Sequence, residues 1–340
     1  MNEIAIIGAG PAGIEAAHAL AERGFKVTVF EKSADTLTNI RDKAFLFPDF
    51  SSAAELADQL NRKLEHENIS VRKNTEIVSV KKEGDVWNLT DSQGNVCAAS
   101  AVLMATGYTV FDAKRKEELG YGIYQGVVTS LEMEKMIREG KIVNTMGEQP
   151  GKIVFLQCVG SRDEKSGNHY CSKVCCVTAV KQAIEVKKHL PDTEVYLFYM
   201  DLRMWGEHFE EMYRESQEKY GVKYIRGRIS EAASTIDGKV QIKAEDTLVG
   251  LPLKMSTDLL VLMVGMEPSA GTRKLAADHA IANQYGFATT LNPILDDNMT
   301  AEEGFFLAGT CKRPLSIIDT INDARSAAQR MAEYLNSVSR

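Results

Sequence analysis

The chain has 340 residues, 44% of them hydrophobic and 26% charged, with a formal net charge of −7; this is the composition of a soluble globular protein of about two domains. The acidic balance and the lack of any Lys/Arg block argue against nucleic acid as a partner, and no apolar run approaches the roughly 20 residues that a transmembrane helix needs. The six cysteines are too few for a secreted disulfide scaffold, and four of them lie between positions 158 and 176, which points to metal or redox chemistry in a reducing, cytoplasmic setting.

The first residues enter a strand, Ile4 to Ile7, which is not the pattern of a signal peptide. A glycine turn follows, Gly8-Ala9-Gly10-Pro11-Ala12-Gly13, and then a helix from Ala12 to Arg23 that Gly24 caps. A second strand, Lys26 to Phe30, ends in Glu31-Lys32. Residues 53–68 read as a helix with Leu56, Leu60 and Leu64 on one face. Short strands come next: Glu76 to Lys82, Val86 to Thr90 and Val96 to Met104, the last running into Ala105-Thr106-Gly107. The plan then repeats. Lys152 to Gln157 reads as a strand, 172–190 as a helix, Glu194 to Met200 as a strand and 207–219 as an amphipathic helix. Asp237-Gly238 marks a hairpin, and Asp258 to Gly265 parallels Ser100 to Gly107. Gly304 to Gly309 and a helix from Ile317 to Leu335 return to the first half. The expected fold is α/β, with two Rossmann-like dinucleotide-binding domains and the second inserted into the first. Residues 1–115 and 268–340 form an FAD-binding domain, and 116–267 form a second, NAD-like one.

In the first glycine turn Gly8 permits the tight bend, Gly10 lets the backbone approach a pyrophosphate, and Gly13 lets helix and strand pack closely. Pro11 and Ala12 open the helix, whose N-terminus offers free N–H groups to phosphates. Glu31 is placed to accept from the ribose hydroxyls, with Lys32 beside it. Ala105, Thr106 and Gly107, with Gly309 and Thr310, resemble the two further segments of the two-dinucleotide-binding flavoproteins. This favours FAD. That family carries Asp after its Ala-Gly pair, where this chain has Thr310. By position Ile317, Ile318 and Asp319 should face the flavin pyrimidine ring.

Where the second half should carry its own glycine loop, the chain reads Cys158-Val159-Gly160-Ser161-Arg162-Asp163. A nicotinamide site there is not expected. Cys158, Cys171, Cys175 and Cys176 instead have the spacing Cys-x12-Cys-x3-Cys-Cys. Cys158 ends a strand, and the other three are expected on the first turn of the following helix, with Cys171 and Cys175 sharing a face. Four thiolates suit a [4Fe–4S] cluster. A structural zinc site and a redox disulfide, placed as in thioredoxin reductases, are the alternatives. Cys97 and Cys311 are expected as single buried or half-buried thiols, and His169 as a loop histidine.

Several segments together resemble the HdrA family, the flavoprotein component of heterodisulfide reductase: Gln157 to Asp163, Tyr170 to Cys176, Phe198 to Arg203, Tyr224 to Arg228, Ala105 to Tyr108 and Phe306 to Gly309. The resemblance implies FAD, a [4Fe–4S] cluster on the four cysteines and a place in a multi-subunit complex that handles thiol–disulfide electrons. It also implies that Lys181 and the segment around Glu132 lie near the isoalloxazine, as the catalytic candidates, and that the loop of Arg41, Asp42, Lys43, Phe45, Phe47 and Pro48 walls the ring. The chain shows none of the ferredoxin-type cysteine runs of the methanogen form, and so is similar to the short forms in sulfur-oxidation complexes. A flavoprotein subunit of a quinone-interacting oxidoreductase, a self-contained NAD(P)H-dependent disulfide reductase and a flavin-stabilised assembly scaffold are the rival expectations. A homodimer is the default oligomer.

Overall fold

The computed structural model describes residues 3–338. The chain divides into two compact units. Met1–Arg41, Glu55–Thr109 and Glu267–Arg340 form the first; Asp42–Ala54 and Val110–Met266 form the second. The short segment Asp42–Ala54, which the sequence assigns to the FAD-binding domain, thus packs with the second unit.

The first unit is built on a parallel sheet in the order Phe305–Leu307, Ala101–Met104, Glu3–Ile7, Lys26–Phe30, Ile69–Arg72. The inner strands are buried along nearly their whole length, which explains their continuous apolar runs. Helix Pro11–Ala21 connects the strands Glu3–Ile7 and Lys26–Phe30, and the last helix, Ile317–Val338, packs along it. A three-stranded antiparallel sheet, Ile77–Glu83, Val86–Asp91 and Val96–Ala99, completes the unit. The run 96–104, read as one strand, is two. Ser100 breaks it, donating its N–H to the Glu3 carbonyl at 2.8 Å, and the chain passes from the antiparallel sheet into the parallel one.

The second unit repeats this order: Val127–Thr129, Leu259–Val264, Lys152–Val159, Glu194–Tyr199, Lys223–Arg226, all parallel. It too has an antiparallel three-stranded sheet, Ile229–Ser234, Val240–Asp246 and Leu251–Thr257. The expected hairpin is there, with Gly238 at φ 76°. The duplication is therefore a matter of topology, with one variation. The edge strand beside the last sheet strand is the final strand of the first unit but the opening strand of the second. That opening strand and helix Ser130–Arg138 escape a reading by periodicity because they are short, although Thr129 and Glu132 carry the S/T-x-x-E signature of a capping box.

Candidate functional site: a dinucleotide cradle and a thiol cluster

The glycine turn of the first unit has the steric logic of a cradle. A Cβ on Gly8 would lie 2.5 Å from the Ala105 carbonyl oxygen, and one on Gly13 only 1.9 Å from that of Gly8. Both glycines hold the turn against its own sheet. Gly10 differs, because a Cβ there meets nothing within 4 Å. The space in front of it is open, and Gly10 caps helix Pro11–Ala21 with no side-chain bond to the first turn, so the positive end of the helix dipole is left for a ligand. Glu31 accepts from the Ala9 and Ser33 N–H groups, both at 2.9 Å, which fixes its carboxylate beside the turn. Lys32 is exposed.

The two further segments are anchored from behind. Thr106 Oγ1 lies 2.7 Å from Thr272 Oγ1, and Gly107 has φ 69°. Gly309 sits so close to helix Pro11–Ala21 that a Cβ would come within 2.9 Å of the Ala12 methyl. Its N–H donates to Asp323 Oδ2 at 2.6 Å. The other oxygen of Asp323 accepts from Lys312 Nζ at 2.6 Å, and Lys312 also reaches Asp297 Oδ2 at 2.9 Å. The Lys312 side chain is 1% exposed. The sequence gives no sign of this buried network beneath Thr310; Lys312 looks like any loop lysine until its two aspartates are located. Ser316 and Asp319 close a reciprocal cap on the last helix, and Ile318 on its first turn is exposed. Cys311 is fully buried, its thiol donating to the carbonyls of Met104 and Ala308, and burial pushes its pKa up to about 12. It is an inert packing thiol. Cys97 is half-buried, and burial raises its pKa as well.

In the second unit, strand Lys152–Val159 delivers Cys158 at its end in a left-handed conformation, φ 61°. Helix Cys175–His189 begins with Cys175 and Cys176. The helix does not extend back to 172, because Lys173 stands at φ 62°, a value that right-handed helix excludes. Cys171 therefore precedes the helix on a loop, and the expectation that it shares a helical face with Cys175 is corrected. The loop 161–172 is held close by Gly265, where a Cβ would fall 2.7 Å from Ser172 Oγ. Ser172 in turn accepts from the Met266 N–H at 2.9 Å.

Cys158, Cys175 and Cys176 are buried and mutually hydrogen-bonded through Cys175. Those bonds hold the Cys175 proton, so its pKa rises well above the ordinary thiol value while the same bonds lower Cys158 and bring Cys176 to about 7. Cys176 donates to Gln157 Oε1 at 2.9 Å and lies 3.7 Å from the Asp201 carbonyl. Cys171 is half-buried and accepts from the Lys173 N–H at 3.3 Å. Arg162 is the cation of the site; it pairs with Asp201 at 2.6 Å and feels the charges of both Cys158 and Cys171. Two buried polar atoms nearby, Gln157 Nε2 and Ser161 Oγ, have no hydrogen-bond partner. Among the described residues, no three His, Cys, Asp or Glu side chains close on a common point as they would around a single metal ion. His169 is exposed.

Lys181, on the same helix, is 1% exposed. Its ammonium donates to Glu134 Oε1 at 2.5 Å and to the Phe45 carbonyl at 2.9 Å. Gln182 Nε2 donates to the same Glu134 oxygen at 2.7 Å, and the Ala44 N–H donates to the other at 3.0 Å. Burial lowers the Lys181 pKa and the Glu134 charge opposes this. Glu132 closes the capping box, accepting from the Thr129 N–H at 2.7 Å and hydroxyl at 2.8 Å. The partner of Lys181 is thus Glu134, which nothing in the sequence singles out. Phe45 and Phe47 pack on the core of the second unit.

Residues 3–91 match the family described as pyridine nucleotide-disulphide oxidoreductase. The fold is that of thioredoxin reductase. The Lactococcus lactis enzyme superimposes with a TM-score of 0.70 over 99% of this chain and all of its own, at 18% identity, and that of T. acidophilum with 0.68 over the same shares, also at 18%. In sequence, 238 residues are 42% identical to the HdrA component of the H(2):CoB-CoM heterodisulfide,ferredoxin reductase of Methanothermobacter thermautotrophicus, covering 68% of this chain and 36% of that one. The iron-sulfur HdrA component of the CoB--CoM heterodisulfide reductase of Methanocaldococcus jannaschii is 42% identical over 241 residues, with the same shares. The chain spans about a third of the length of these relatives. Over the two-thirds of its own length that aligns, it belongs to the HdrA family of heterodisulfide reductase components.

Proposed function

We propose that the chain is an electron-transfer flavoprotein subunit of a heterodisulfide-reductase-like complex, with FAD in the first unit and a [4Fe–4S] cluster in the second, acting in dissimilatory sulfur oxidation. The observation that carries this reading is an exchange at equivalent positions of the two sheets. After its central strand the first unit has Gly8-x-Gly10-x-x-Gly13; the second has Cys158, then Cys175 and Cys176 at the start of the next helix. A nicotinamide dinucleotide would have to enter where a buried thiol set now stands.

The residues fit both groups. Open space before Gly10 and an uncapped helix N-terminus suit a pyrophosphate, and Glu31 suits a ribose. Thr310 offers a hydroxyl where a charged side chain is usual in two-dinucleotide flavoproteins. In the second unit four thiols are the donor set, and the orphaned donors Gln157 Nε2 and Ser161 Oγ suit hydrogen bonding to the sulfurs of a cluster. A cubane binds each cysteine through its own iron, so its ligands need not converge as they do on one ion. When bound, FAD exchanges electrons in pairs or singly and the cluster singly. The chain's own part is to hold each group, to keep water from the buried thiols and to place the Arg162 cation beside the cluster's negative charge. Lys181 is a second buried cation of the same unit, a candidate for tuning the flavin potential. Electrons arrive from and leave to partner subunits of a complex, in the cytoplasm; a homodimer is the proposed assembly of the chain itself.

A second reading has a specific observation behind it. Cys158, Cys175 and Cys176 are close enough to share hydrogen bonds, as a dithiol of a disulfide reductase would be. Anaerobic reduction of the purified protein separates the two. The electron-transfer reading expects NADH and NADPH to leave the flavin oxidised over the time of turnover while a one-electron donor bleaches it; rapid bleaching by either nucleotide would favour the disulfide reductase.

A further inference from the structure

Beside the thiol cluster the second unit carries a cavity of ≈370 Å³ lined by Met200, Asp201, Arg226, Gly227, Arg228 and Thr247. That volume is in the range of small-ligand sites. It lies past the carboxyl ends of strands Glu194–Tyr199 and Lys223–Arg226, the edge where open α/β sheets bind their ligands. Its walls are cationic. Arg226 uses its Nε on the Met200 carbonyl at 3.1 Å and lies 3.5 Å from Asp201 Oδ1. Arg228 bonds the Arg162 carbonyl at 3.3 Å and stands 4.0 Å from Asp163, a carboxylate that Lys116 already holds at 3.0 Å. Asp201 is the one acid in the lining, and it is bracketed by Arg162 and Arg226. Each guanidinium has five N–H donors, so most of those on Arg226 and Arg228 remain for a ligand. Gly227 is obligatory in the floor, since a Cβ would lie 1.9 Å from the Glu245 carbonyl oxygen.

We infer that this cavity is a binding site for a tetrahedral oxyanion, a phosphoryl or sulfuryl group held by Arg226 and Arg228. Planar guanidinium forks are matched to such groups and bind them through paired, charge-assisted hydrogen bonds. The oxyanion is either free or the end group of a nucleotide. The site is independent of the electron-transfer reading and shares no residue with the dinucleotide cradle. It is joined to the thiol cluster by Asp201, whose side chain pairs with Arg162 and whose carbonyl meets Cys176.

Calorimetry on the intact chain, with inorganic phosphate, sulfate and adenosine monophosphate as probes and chloride at matched ionic strength as the reference, tests this. Saturable one-to-one binding of at least one probe is expected, lost by at least about tenfold in Arg226→Gln and Arg228→Gln, since a charge-assisted bond is worth roughly 1.5–3 kcal/mol, and retained in Lys81→Gln, which removes an exposed charge from the first unit. Tighter binding of the nucleotide than of both inorganic ions assigns the group to a nucleotide; equal or weaker binding assigns it to a free oxyanion. Absence of binding by all three probes, heats that chloride reproduces, or equal losses in Lys81→Gln would overturn the site. Far-ultraviolet circular dichroism of both arginine variants checks that any loss is not unfolding; were either unfolded, Arg→Lys at the same position gives the readout, with weakened binding expected and wild-type affinity contradicting the fork.

Discussion

At the scale of residues, the two glycines Gly10 and Gly13 separate folding from binding. Gly13→Val places side-chain atoms against the Gly8 carbonyl and should destabilise the first unit, whereas Gly10→Val enters open space and should leave the melting temperature near wild type while abolishing FAD retention. Co-purified flavin and a thermal melt measured together check this; full flavin in the Gly10 variant would remove the cradle assignment. Lys181 poses a different problem. A buried ammonium bonded to one buried carboxylate gains its stability only as a pair. Lys181→Ala strands the Glu134 charge and should cost about 3–5 kcal/mol, and replacing both partners by apolar residues, Lys181→Met with Glu134→Leu, should recover most of it. Urea denaturation of the single and double variants reads this directly, and a single variant as stable as wild type would show that water reaches the pair.

Elements show how far the sequence can be read. The glycine turn, the strands around it and the Asp237-Gly238 hairpin are legible because each rests on local backbone rules. The start of the cysteine-bearing helix is not: residues 172–174 have helix-compatible side chains, and only the left-handed Lys173, set by the loop's tertiary packing, delays the helix to Cys175. Nor is Glu134, since a carboxylate on a short amphipathic helix reads as solvated until its lysine, 47 residues away, is placed. Glu132, a candidate for chemistry by resemblance, sits in a cap. Glu132→Ala should therefore lower stability by about 1 kcal/mol, measurable by denaturation. Helices Pro11–Ala21 and Ile317–Val338 are tied by buried Glu15, which meets Lys63 at 2.5 Å and Arg325 at 2.7 Å. Burial raises its pKa, but the two cations outweigh this and hold the carboxyl below its ordinary value. A depressed folded pKa gives stability that is full above the unfolded value and is lost as pH falls through the folded one. Acid should thus weaken the first unit, and Glu15→Gln should flatten that part of the pH–stability curve; an unchanged acid limb would show that the tie contributes nothing.

For the whole molecule, the account is one of a duplicated α/β plan whose halves have diverged at a single functional position. Both sheets share one strand order and both carry an antiparallel appendage, yet a ligand cradle follows the central strand in one and a set of thiols in the other. The overall likeness to thioredoxin reductases gives the fold, while the function turns on what replaced the second cradle. Iron and flavin determined together on anaerobically prepared protein test that claim most directly. The account predicts about four irons for each FAD, with iron falling in Cys158→Ser, Cys171→Ser, Cys175→Ser and Cys176→Ser and unchanged in Cys97→Ser and Cys311→Ser. Flavin at full occupancy with no iron, or with zinc in its place, would contradict it.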